Sequence, residues 1–182
     1  MQEAPTEAHA LDQAPGGPPQ GQAIGTLAEL VLDSHRVVGE IRHTGAPRRL
    51  VDILNAIDGA FLVMHEGELG DLFGADEQPR RFAVIHVRRD GILFAVPRGG
   101  SAPQASAFEV IVKVSVAATI VLPGFEVTGN IYLAPDADPA LAPLLASNHF
   151  IPLTDVDVVA AQDRGRTWRE PIVVVNLARA LV

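Results

Sequence analysis

Cysteine is absent from the sequence, which excludes disulfides, thiolate catalysis and zinc ribbons and leaves the redox compartment open. Aromatic residues are few, at 5%, while valine, isoleucine, leucine and alanine are many, so the expected core is aliphatic and strand-rich. A hydrophobic share of 48% over 182 residues is enough for one sound core or two small ones. Basic excess is missing too. The net charge of −8 spreads evenly along the chain, and no segment carries the positive field that phosphate binding requires, so no nucleic-acid partner is expected. Apolar runs break within ten residues or so, short of the ~20 that cross a bilayer, and the first residues have neither a basic nor an apolar signal region. A cytoplasmic protein without membrane contact is the expectation. The sequence also has no GxSxG, HExxH, Walker loop, GxGxxG after a strand or EF-hand loop. No nucleophile, base and orienting group can be named together, so neither an enzyme nor a cofactor is expected.

What the chain does contain is a hairpin written twice. LVLDSHRVVGEI (30–41) lies over IVLPGFEVTGNI (120–131) without a gap, with identity at Leu32/Leu122, Val37/Val127, Gly39/Gly129 and Ile41/Ile131. Asp33-Ser34 and Pro123-Gly124 supply the turns, and the second arm alternates apolar and polar faces in both. At the same offset VIHVRR (84–89) matches VVNLAR (174–179), and FLVM (61–64) answers FIPL (150–153) with a one-residue slip. The reading is a tandem duplication.

Residues 1–23, rich in Ala, Pro, Gly and Gln, read as a disordered tail. Copy one (24–97) predicts two strands, then a short helix carrying Leu50, Ile53, Leu54 and Ile57 with Pro47 in its first turn, then a strand at 60–65 and a long loop at 67–81. FAVIHV (82–87), apolar on both faces, predicts a strand buried on both sides, turned at 88–91 into a return strand at 92–97. A linker (98–107) leads to copy two (108–182), which opens on a valine ladder at 108–116, bent at Ala117-Ala118, and changes phase at Thr154-Asp155 as a bulge would. Its helix position is interrupted by Pro139 and Pro143. Each copy reads β-β-α-β-β. The fold class is therefore mainly β (α+β), two small barrels or half-barrels of SH3-like or Sm-like type, fused where strands 92–97 and 108–116 pair with each other.

The order G-x-I, then LVDILN (50–55) or LLASN (144–148), then F-[LI]-x-[ML] and a V-[HN]-[VL] strand resembles a group of uncharacterised bacterial small domains, single or tandem, with a DxLN…FxxLTD core. Copy one holds Asp52, Leu54 and Asn55; copy two holds Phe150, Leu153, Thr154 and Asp155 without the DxLN. The likeness covers most of residues 24–182 and implies no activity. RFAVIHVRRDGILFAVP and VTGNIYL…FIPLTDV also have a cadence similar to chemotaxis coupling adaptors, whose paired SH3-like barrels bridge a receptor and a kinase. That family's glycine-rich strand turn is missing.

His86 and Asn176 match in the alignment and each puts one polar group into an apolar strand, so they read as a structural polar pair bonded to backbone. His43, His65 and His86 sit on successive strands, but copy two replaces His86 by Asn176 and supplies nothing at the other two, and no metal site is expected. Asp155 and Asp157 read as a solvated strand face. Trp168, the single tryptophan, stands among Arg164, Arg166 and Arg169 and is either a partner-binding anchor or a cap folded onto the barrel end. The expected function is a non-catalytic protein-binding or scaffold module that self-associates. The alternative is a small-molecule or metal sensor with its site between the copies.

Overall fold

The computed structural model describes residues 23–44, 48–57, 59–74, 78–99, 113–138, 149–162 and 167–181. The expected tail (save Ala23), most of the linker and the helix position of the second copy lie outside these residues. The described elements run β1 (Ile24–Val31), β2 (His35–His43), α1 (Leu50–Ala56), β3 (Phe61–Asp71), β4 (Arg80–Arg88), β5 (Phe94–Pro97), β6 (Val114–Leu122), β7 (Phe125–Leu133), β8 (Phe150–Ala160) and β9 (Thr167–Asn176). All nine strands join one open antiparallel sheet in the order β4-β3-β2-β1-β5-β9-β8-β7-β6. The fold is mainly β, and neither four-strand half closes on itself through strand pairing.

The turns follow their chemistry. Gly124 has φ 78°, the value that position i+2 of a type II turn demands after Pro123. At Asp33-Ser34 the Leu32 amide donates to the His35 carbonyl across the turn. Register then carries β1 along β2 and β6 along β7 without interruption. On their other sides β2 and β7 break register at the same place, between Val38 and Glu40 against β3 and between Thr128 and Asn130 against β8. The expected bulge at Thr154-Asp155 is present, and β3 has its twin: Glu66 (φ 49°) and Asp155 (φ 52°) hold positive φ as the extra residues. β3 therefore runs on through His65 and Glu66 to Asp71, where a loop from residue 67 was predicted.

Further backbone bonds repeat in the two halves. Leu72 donates to Ser34 as Ala161 does to Gly124, Arg89 to Ala60 as Leu177 to His149, and Leu93 to Val31 as Leu181 to Val121. A 3-10 turn follows both β4 (Arg89–Gly91) and β9 (Leu177–Arg179).

Four expectations change. Residues 88–91 do not reverse the chain into a hairpin; the 3-10 turn sends it across to β1, so β5 pairs with β1 and β9 and, among the described residues, no strand lies outside β4. The strand expected to be buried on both sides is thus an exposed edge, and the strand that is buried on both sides is β5. Nor does 92–97 meet the valine ladder: the described end of that ladder is the start of β6, an unbroken strand through Ala117-Ala118 at the opposite edge of the sheet.

The core lies on both faces of the central strands. On one face Ala95 and Val174 join the apolar side of α1 (Leu50, Val51, Ile53, Leu54) and residues of β1 to β4. On the other, Phe94, Val96, Val173 and Val175 join β7 and β8. Each cluster borrows from the other half, Phe150 in the first and Val31 and Leu72 in the second.

Candidate functional site

The junction of the halves is packed and fully bonded. Asn176, 2% exposed, donates from Nδ2 to the Ile92 carbonyl at 2.8 Å and accepts from the Ala178 amide at 3.1 Å, tying the end of β9 to the start of β5. Arg98, just past β5, donates from Nε to Glu29 at 2.8 Å and from both terminal nitrogens to Glu170 at 3.0 and 2.7 Å. Burial pulls the guanidinium's pKa down, but the hydrogen bonds it donates to Glu170 and Glu29 outweigh it and raise the pKa above its ordinary value. Asn55 reaches from α1 to the first residue of β8, donating to the Phe150 carbonyl at 2.9 Å and accepting its amide at 3.1 Å. These groups are bonded across the join.

The pairing of His86 with Asn176 does not hold. His86 is exposed on β4, whereas Asn176 is buried. By position Asn176 answers Arg88, since each is the residue just before its 3-10 turn, though only Asn176 caps the turn with its side chain. The match slipped because fewer residues separate β8 from β9 (161–166) than β3 from β4 (72–79). The three histidines do not converge either. His43 and His65 border an open hollow of about 510 Å³ beside α1, while His86 borders another of about 370 Å³ with His35. Among the described residues no group of three or more His, Asp or Glu is gathered as metal ligands would be. Asp157 is taken by Arg169 at 2.5 Å, and Asp155 sits on the bulge with Asn130 at 3.4 Å.

Trp168 is half-buried, edge-on to Phe125 at 6.1 Å, in an aromatic group with Phe94 and Phe73. Its ring is spent on the second core cluster, and Arg169 is spent on Asp157. Arg164 and Arg166 lie outside the described residues.

Among the described residues His43 Nδ1 is buried without a hydrogen-bond partner, and the two edge strands of the sheet carry exposed apolar side chains. On β4, Phe82 and Val84 are 41% and 44% exposed, and Arg80, Arg81 and Arg88 punctuate the strand. Arg80 lies over the Phe82 ring at 5.9 Å, Arg81 meets Glu68 at 2.8 Å, and Arg88 meets Asp90 at 2.5 Å, whose hydrogen bond holds that carboxyl below its usual range. On β6, Val114 and Val121 are 45% and 43% exposed, and its nine residues, VSVAATIVL, include no charge. The sequence pointed to β4 through its apolar run but read it as interior. No family model, curated protein or solved structure matches this chain.

Proposed function

We propose that the chain is a non-catalytic interaction module, a scaffold whose sheet is extended at its edges by another strand, in the first place one of its own kind. The observation that carries this reading is the exposure of Phe82, Val84, Val114 and Val121 on the two strands that, among the described residues, have a neighbouring strand on one side alone. Natural edges are blunted by charge, proline or shortness, because open amides and carbonyls template further pairing. β6 has none of these devices along its nine residues. A strand added there gains main-chain hydrogen bonds and covers apolar side chains in one step.

The repeated bulges, turns and backbone bonds support a second element of the proposal, that the two halves are copies of one unit, as in the tandem small domains the sequence resembles. A sensor site between the copies has no comparable support, since Asn176, Arg98 and the central valines fill that junction. Sedimentation of the full chain over a wide concentration range tests the function. Association that rises with concentration and weakens when an exposed edge residue is replaced by lysine is the expected result. A chain that remains a monomer at every concentration would overturn self-association.

A further inference from the structure

We infer that β6 pairs with β6 of a second copy of this chain, antiparallel about a two-fold axis at Ala117, so that two molecules share one continuous sheet; this deepens the interaction reading above and rests on it. The hydrogen-bond phase of β6 sets the register. Leu122 and Phe125 close the two-residue turn as a bonded pair, and alternation along an antiparallel ladder then turns the main chain of Val121, Thr119, Ala117 and Ser115 away from β7. The Val121 carbonyl does face outward, for it accepts the Leu181 amide at 2.8 Å. A pairing strand must therefore bond at Ser115, Ala117 and Thr119.

About Ala117 the pairs are Ala117 with itself, Ser115 with Thr119, Val116 with Ala118 and Val114 with Ile120, and Val121 stays with Leu181. Val116, Ala118 and Ile120 pack partly against the second core cluster, so this register sets like against like and runs that apolar face into the partner. Ser115 and Thr119 put hydroxyl opposite hydroxyl on the exposed face. Charge separates the two edges. An antiparallel β4 pair centred on Val84 would set Arg80 opposite Arg88, like charges facing directly, whereas β6 brings no charge to its own copy. The first half displays the same edge already filled: β5 lies antiparallel on β1, starting from the Leu93 bond to Val31 that Leu181 and Val121 repeat.

Because the chain has no cysteine, Ala117→Cys creates a single thiol. A bonded antiparallel pair holds Cα atoms about 5.5 Å apart, within disulfide reach. Mild oxidation of the full-length variant is expected to give a covalent dimer as the main product, with Val84→Cys giving none. A mixture of Ser115→Cys and Thr119→Cys chains is expected to give the mixed disulfide, which fixes the register if Ala117→Cys folds poorly. Ala117→Lys is expected to weaken association about tenfold or more, as facing like charges do. Cross-linking through Val84 alone would overturn the inference while leaving an edge-pairing module. Open-ended growth without either symmetric cross-link, the sign of β4 meeting β6, would overturn it likewise. A monomer in which every thiol stays free would overturn both the inference and the self-association reading.

Discussion

Gly39 and Gly129 owe their identity to the bulges facing them. A Cβ on Gly129 would come within 2.9 Å of the Thr154 carbonyl oxygen and 3.0 Å of a Val156 methyl; on Gly39 it would come within 3.0 Å of the His65 carbonyl oxygen. The obstacle is largely neighbouring backbone, which the positive φ of Asp155 and Glu66 pushes toward the glycine. Gly129→Val and Gly39→Val are each expected to lose on the order of 2 kcal/mol in denaturant unfolding, by overpacking. Unchanged midpoints in both would mean that the bulges are not held by these contacts. The sequence marked both glycines as equivalent, and it marked the phase change at Thr154-Asp155. It did not mark Glu66, because a glutamate beside Gly67 and Glu68 reads as loop. Nor did it place His86, whose burial depends on which strand lies alongside.

At the scale of elements, α1 is seven residues long and has no side-chain cap, so its stability comes from what it packs against. Arg49 pairs with Asp52 across the first turn, and that hydrogen bond holds the Asp52 carboxyl below its usual range. The hold on the rest of the molecule is Asn55, which meets both backbone groups of Phe150. Asn55→Ala is expected to cost about 1–3 kcal/mol, because a half-buried amide and carbonyl lose their partners together. A hydrogen-exchange rate at the Phe150 amide equal to that of the parent would contradict this. The helix was legible from the spacing of Leu50, Ile53 and Leu54, and so were the hairpins. The destination of β5 was not. Four apolar residues after a 3-10 turn carry no periodic signal, and only the tertiary fit distinguishes a return along β4 from a crossing to β1.

The molecule as a whole is a single sheet whose two halves repeat one set of bulges and turns and curl onto opposite faces of β5 and β9. The hairpins and the bulge at Thr154-Asp155 were legible because side chains there are dictated locally. Sheet order was not, because an apolar strand such as 82–87 has the same composition whether a neighbouring strand comes from its own chain or from another. The sequence carries strands apolar enough to be interior, and among the described residues two of them stand at the edge of the sheet. Hydrogen exchange followed at low and high protein concentration measures this most directly. Amides of Ser115, Ala117 and Thr119 should slow markedly as concentration rises, while those along β9, bonded within the chain, should not change. If the three β6 amides exchange at one fast rate at every concentration, the open edge is only an edge and self-association through β6 does not occur.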